Sequence, residues 1–495
     1  MTNEPICNYH CAITILSPVH VGSGEKYIKD LDYIIENKTV FIFSRPMLFS
    51  LLESVCDEKD IEDLTESISD RRLKEWLSYK GVDYKNAIQY KYPIKGNQYP
   101  KDIHQAIKNA WGVPIIPGSS VKGAIRTAIL RDLSEKDERR TLKKVLTFAL
   151  RKRRFTDNEL KGLDQGITEE LLGKDPNHNL MRTLSVGDFI FQRDALTLSK
   201  VVVKTIKGNG KLEEKVFKIY PEVLRTGAVG ESNVGIETFL FEQDRKKENK
   251  IFGFSSGITL SYIRNVANHA SLKIVEEEIA YFENQDEKLA NFYKDLRKQI
   301  QELSKSELIT RISWGVGWRS ITGGLIPEDL LTKQLREILK LAPKKWPARF
   351  PKTRKIVQTP AGNLPLGWIK LSFRAMEEVR EEEKKKRAEE AARVEKQAQI
   401  RAEEERKKRE EEERKAYLES LSPEERDIEM IKEPSVSEQQ VVEIYRKIDE
   451  FSEANKKKLA EALKDYWIQH NKWKGKLSHK QKQKVAKIKE ILEAE

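Results

Sequence analysis

Residues 8–17, NYHCAITILS, alternate two sets of side chains, Tyr9, Cys11, Ile13 and Ile15 against His10, Ala12, Thr14 and Leu16. That period of two predicts a β-strand buried on at least one face. Gly22 and Gly24 mark a loop, and the runs LDYIIE and VFIFS around Asn37-Lys38 predict a hairpin. Residues 45–56 predict a helix with Pro46 in its first turn. Strand, strand, strand, helix in that order predicts an α+β fold with a largely antiparallel sheet. Residues 57–92 predict a small helical insertion around Trp76.

The period changes at Pro114, where VPIIPGSSVKGAIRTAILRDL begins. Gly118, Ser119 and Ser120 supply loop and N-cap chemistry, and Val121, Ile125, Ile129 and Leu133 recur at helical spacing. Lys122 and Arg126 then share one helix face near its start. With the free N–H groups of the first turn they would make a phosphate site. Taken alone, the segment reads more simply as an ordinary capped amphipathic helix. Further on, residues 196–206 and 211–224 flank Gly208-Asn209-Gly210 and predict a long hairpin. Strands near 234–241 and 252–263 and a helical stretch over 268–305 complete this part.

The block Arg311-Ile-Ser-Trp-Gly-Val-Gly-Trp-Arg-Ser-Ile-Thr-Gly-Gly324 cannot be a helix interior. Gly315 and Gly317 let another backbone come close, with Arg311, Trp314, Trp318 and Arg319 beside them. Such a loop suits RNA, because phosphates can reach backbone N–H groups while Trp or Arg stacks on an unpaired base. The spacing excludes GxGxxG and Walker loops.

Charge sharpens the picture. The net charge is +12, and residues 1–376 carry it, with 61 basic against 48 acidic side chains. Lys122 to Arg154 holds 12 basic and 4 acidic residues, a density suited to a polyanion, although a solvated helix face is the plainer reading of any one such run. From Glu377 to Lys415, 29 of 39 residues are charged without a sustained apolar heptad, which predicts a solvated single helix of roughly 60 Å acting as a spacer. Ser422-Pro423-Glu424-Glu425 then opens a last module. Its later half places Trp467 and Trp473 among twelve lysines, a basic element that either touches nucleic acid or pairs with the acidic stretch before it. Cys7, Cys11 and Cys56 form neither a disulfide framework nor a zinc set. No apolar run reaches membrane-spanning length and the opening residues lack a secretion pattern, so a cytoplasmic protein without a membrane partner is expected.

Three segments, LSPVHVGSGEKY at 16–27, IPGSSVKGAIRTA at 116–128 and RISWGVGWRSITGG at 311–324, together resemble the RAMP proteins of type III CRISPR systems. The resemblance is most specific to the fifth subunits of type III-A Csm complexes. TLSVGDF at 183–189 and RKIVQTPAGNLPLGWIKL at 354–371 agree with it, so it covers about residues 8–373. It implies two RRM-like (ferredoxin-like) halves with glycine-rich loops and helical insertions, 1–190 and 191–375; the charge pattern adds the linker 376–418 and the basic helical module 419–495. It also implies a crRNA-binding subunit at the crRNA 3′ end, partnered by other Csm RAMP subunits and needed for maturation by a recruited trimming nuclease. No cofactor is implied. Carried onto this chain, the RNA-binding candidates are His20, Gly22, Ser23, Gly24 and Lys26 in the first loop. Ser119, Ser120, Lys122 and Arg126 follow at the helix start, and Arg311, Gly315, Gly317, Trp318 and Arg319 in the late loop. The region after residue 376 departs from the shared core.

Two enzyme readings compete. Asp30 and Asp32 follow the first glycine loop and would hold Mg²⁺ for RNA cleavage, as in related RAMP backbone subunits. Metal-free cleavage would need a histidine base, for which His20 is the loop candidate. A type III-B RAMP homologue and a protein-interaction adaptor working through residues 377–495 are the remaining alternatives. A non-catalytic RNA-binding subunit is the expected outcome.

Overall fold

The computed structural model describes residues 6–69, 73–94, 100–152, 154–207, 210–240, 257–341, 350–359 and 361–493. Two compact units divide the chain, Met1–Glu381 and Glu382–Glu495.

The spine of the first unit is a seven-stranded antiparallel sheet. Its first strand, Ile6–Ile15, pairs on one side with Val229–Glu237 and on the other with Trp368–Ala375, so that Ile13 lies opposite both Gly230 and Leu371. Glu307–Arg311 extends the sheet beyond Trp368–Ala375. Leu184–Val186, Phe189–Phe191 and Ile115–Ile116 extend it past Val229–Glu237. The period of two has its physical meaning here: Cys11, Ile13 and Ile15 are buried while Ala12, Thr14 and Leu16 are half-buried. The buried set packs with helices Gly118–Lys136 and Leu260–Phe282 into the main core, where Val121, Ile125 and Ile129 form the expected stripe. The position near residue 190 expected as a boundary falls inside this unit, and the first strand sits between two strands from the later half.

Smaller sheets surround the spine. Tyr33–Glu36 and Thr39–Phe43 form the predicted hairpin, with Asn37 and Lys38 both at positive φ, and Ile88–Pro93 adds a third strand. Lys200–Ile206 and Leu212–Ile219 are the two arms of the second hairpin; the Gly208-Asn209 tip lies outside the described residues.

Several expectations are corrected, among them the helical reading of 57–92, where Ile88–Pro93 is a strand. The segment after Gly22 is not a loop: Gly22–Ile28 is a strand paired with Asp102–Ala106. Its side chains are mostly exposed, so no apolar period marks it, and its partner lies far along the chain. The strand expected over 252–263 lies partly outside the described residues, and from Leu260 the chain is helical because Thr259 accepts the Tyr262 N–H as N-cap. The following helical stretch breaks before Asp286, which caps a second helix, Glu287–Gln301.

Met376–Ser420 is one continuous helix without a buried side chain, carrying i,i+4 ion pairs such as Lys407–Glu403 and Arg409–Glu413. In the second unit the helices Pro423–Lys432, Glu438–Arg446, Glu453–Gln469 and His479–Glu493 enclose a separate core. The first two open with complete capping boxes, Ser422 with Glu425 and Ser437 with Gln440. Trp467 and Trp473 are buried and stacked at 6.4 Å, so the indoles among the lysines are core residues. Lys472 and Lys487 pair instead with Glu438 and Asp449 of the acidic stretch. No helix among the described residues is long and apolar enough to cross a membrane.

Candidate nucleic-acid interface

The residues leaving the first strand are clamped to two distant segments. Trp368 N–H donates to Ser17 Oγ at 2.9 Å, Gly367 N–H to the Pro18 carbonyl at 2.9 Å, and Trp314 N–H to the His20 carbonyl at 2.7 Å. Gly367 has φ +94°, and a Cβ there would fall 2.5 Å from the Ile312 carbonyl, so only glycine allows the approach. The helix Gly118–Lys136 is pinned as tightly: a Cβ on Gly118 would lie 2.0 Å from the Val186 carbonyl, and its N–H donates to Asp188 Oδ1 at 2.8 Å.

These clamps bring the three glycine-bearing segments to one open cleft of about 710 Å³. The first contributes His20, Gly22 and Gly24, the helix Ser120, Gly123 and Arg126, and the late loop Arg311, Ser313 and Trp314. The convergence joins positions roughly a hundred to three hundred residues apart.

His20 is buried, and its Nδ1 lies 2.7 Å from the Glu222 carbonyl. Burial lowers its pKa to about 4, against which the carbonyl contact works, so the ring is neutral near pH 7. Its ring packs edge-on against Trp314 at 5.8 Å, and His104 lies tilted over the same indole at 5.9 Å. Lys355 Nζ sits over the indole at 3.9 Å. Trp314 thus reaches the cleft half-buried, with a cation and two imidazoles already packed on its ring.

Arg311 is the charge in the wall. Only 6% of it is exposed; Nε donates to the Leu366 carbonyl at 2.9 Å, the guanidinium lies over Trp368, and Nη1 has no hydrogen-bond partner. No carboxylate pairs with it among the described residues. A buried cation without a counter-ion is costly, and an anion in the cleft would relieve that cost.

The remaining candidates are placed as follows. Ser23 donates to the Gln105 side chain and Lys26 pairs with Asp102 at 2.7 Å, both on the exposed ribbon, and neither lines the cleft. Ser119 is exposed at the helix start, and the first-turn N–H of Gly118 already faces the Asp188 carboxylate, which weakens the phosphate site expected there. Lys122 and Arg126 separate: Arg126 lines the cleft and donates to Thr168 Oγ1 at 2.8 Å, whereas Lys122 lines another depression of about 500 Å³ with Lys174 and Arg182. Gly315 and Gly317 both have φ +86°, Gly315 packed against Lys355, and neither lines the cleft. Trp318 packs on Phe350 and over Gly323, and Arg319 pairs with Glu277 at 3.1 Å and Glu328 at 3.7 Å. Sequence reasoning missed His104, Ser313, Gly123 and Lys355; all but His104 lay inside a recognised motif.

The carboxylates of the metal reading are engaged elsewhere. Asp32 accepts from Ile28 N–H and Arg45 Nε, and Asp30 pairs with Lys29 at 3.3 Å. Among the described residues no group of three or more His, Cys, Asp or Glu is arranged to hold a metal ion.

Comparison with known proteins places this architecture. A profile of the RAMP superfamily matches residues 12–320. A protein of Streptococcus thermophilus described as CRISPR system Cms protein Csm5 is 27% identical over 135 residues, 25% of this chain and 38% of that protein. A Mycobacterium tuberculosis Csm5 is 26% identical over 151 residues, 26% of this chain and 40% of the relative, so the matched region spans well under half of either protein. A Methanocaldococcus jannaschii Csm5 is 23% identical over 387 residues, 72% of this chain and 87% of the relative. In fold, the chain is similar to one from the cryo-EM structure of a Csm-crRNA-target RNA ternary complex of a type III-A CRISPR-Cas system, with TM-score 0.58, 21% identity and coverage of 74% and 100%. It is also similar to the crystal structure of T. onnurineus Csm5, with TM-score 0.53, 19% identity and coverage of 72% and 99%. With the superfamily profile spanning more than half its length, the chain belongs to the RAMP superfamily, as a Csm5-like member.

Proposed function

We propose that this protein is the crRNA-binding, Csm5-like subunit of a cytoplasmic type III-A Csm effector that defends against viruses and plasmids. It grips the 3′ region of the guide RNA through phosphate and 2′-OH contacts, largely independent of base sequence. The observation that carries this reading is the convergence of three glycine-bearing segments on a cleft whose wall holds Arg311 without a counter-ion. The packing of Lys355 and His104 on Trp314, and of Phe350 on Trp318, favours backbone recognition over base stacking.

Binding rather than cleavage is supported by the carboxylates. Asp32 is tied to Arg45, and His20 is a weak base with a pKa of about 4. Trimming of the guide 3′ end then falls to a separate, recruited nuclease, and other Csm RAMP subunits are the assembly partners.

The test incubates purified full-length protein with guide RNA and with unrelated single strands, with and without Mg²⁺, over a salt series. Comparable affinities, a linear fall of log affinity with log salt, and intact RNA are expected. Deleting residues 377–495 should leave binding in place. Cleavage abolished by Asp32→Asn or His20→Asn would overturn the reading.

A further inference from the structure

The helix Gly118–Lys136 carries Gly123 in its interior. Glycine weakens a helix, because it has more backbone freedom to lose and no side chain to pack. The usual reasons for keeping one are absent here. Gly123 is not among the glycines with positive φ. A Cβ built on it would meet no protein atom within 4 Å, unlike Gly118, whose bare Cα is required by the Val186 carbonyl.

The space above Gly123 belongs to the cleft. Ser120, Gly123, Ala124 and Thr127, at the i, i+3, i+4, i+7 spacing of one helix face, all line it, so this wall is built of small side chains. The same cleft is lined by Arg311, more than nine-tenths buried, with Nη1 unpartnered and no carboxylate beside it among the described residues. Ser320, also lining it, holds a buried Oγ without a hydrogen-bond partner. A helix face of small side chains flanked by Arg126, in a cleft that also holds an uncompensated cation, fits a bulky anionic chain that must come close to the helix backbone.

We infer that Gly123 marks the closest approach of an RNA phosphodiester backbone to this protein, with Arg311 supplying the counter-charge. The inference rests on the RNA-binding reading and deepens it by naming the point of contact. The absent Cβ is explained by the ligand and not by the fold.

Gly123→Ala and Gly123→Leu in the full-length chain test it, because both replacements are better helix formers than glycine. Melting temperature and affinity for a labelled single-stranded RNA are measured on each. The expected result is unchanged or raised melting temperature with weaker binding, about tenfold for Gly123→Leu and a smaller factor for Gly123→Ala. Wild-type affinity in both variants would overturn the inference and leave the RNA-binding reading standing. A lowered melting temperature would overturn it too, by showing that the fold itself needs the glycine. Failure of the wild-type chain to bind RNA would remove the RNA-binding reading, and this inference with it.

Discussion

His20 Nδ1 lies 2.7 Å from the main-chain oxygen of Glu222, more than two hundred residues further along the chain. A carbonyl only accepts, so Nδ1 carries the proton and Nε2 is left as an acceptor beside Gly22. The side chain of the same glutamate is fully buried and accepts from Tyr90 OH, Ala106 N–H and Lys108 Nζ. One residue thus fixes the imidazole with its backbone and anchors the Asp102–Ala106 strand with its carboxylate.

The buried imidazole makes stability depend on pH. Because folding lowers the His20 pKa from 6.5 to about 4, the unfolded chain binds the extra proton between those values, and stability falls as pH drops from 6.5 towards 4. The full contribution is about 3 kcal/mol. His20→Asn, whose amide can keep the bond to the Glu222 carbonyl, should flatten the melting temperature over that range.

Arg311→Ala should weaken RNA binding for unrelated sequences alike and reduce the salt slope of affinity by about one. Fluorescence anisotropy across a salt series reads both. A loss confined to one sequence would contradict backbone recognition.

Arg126 and Lys122 should differ although they share a helix face. Since only Arg126 lines the cleft, Arg126→Ala should cost more affinity than Lys122→Ala, and equal losses would mean that the RNA also crosses the second depression.

Glu222→Gln should destabilise the protein by about 3 kcal/mol, because it strands the buried Lys108 ammonium without its partner. Urea midpoints measure this. Lys108→Met added to Glu222→Gln should recover part of the loss, since the uncompensated charge is then gone.

Trp467→Ala should cost about 3–5 kcal/mol in the C-terminal module, the usual cost of emptying a large aromatic site. RNA affinity of the cleft should stay as in wild type. A marked fall in affinity with the module still folded would return the indole to the binding surface.

Local signals made much of this molecule legible. The two-residue period of the first strand, the Asn37-Lys38 turn, the Val121-Ile125-Ile129 stripe and the Ser422 capping box are each written within a few consecutive turns of chain. The glycine-bearing motifs likewise brought Gly22, Gly24, Ser120, Arg126 and Arg311 forward as candidates, and all five line one cleft. What stayed hidden depends on distant partners. Gly22–Ile28 is a strand only because Asp102–Ala106 pairs with it. Trp318 and Arg319 are directed away by Phe350 and Glu277, whereas His104 sits in a segment with no distinguishing pattern. Trp467 and Trp473 sit among lysines in sequence, while helical spacing turns Trp467 inward and the loop after that helix folds Trp473 back onto it.

The position of the first strand has a consequence for how the protein is made. Ile6–Ile15 leaves the ribosome long before either of its neighbours, Val229–Glu237 and Trp368–Ala375. At about 5–20 residues per second, the second neighbour arrives roughly 20–70 s later. Until Val229–Glu237 emerges both edges of this apolar strand are open, and until Trp368–Ala375 follows one still is, the condition in which nascent chains pair with one another. The sheet is therefore completed only near the end of translation of the first unit, and the soluble yield of the protein depends on what shields this strand during that wait.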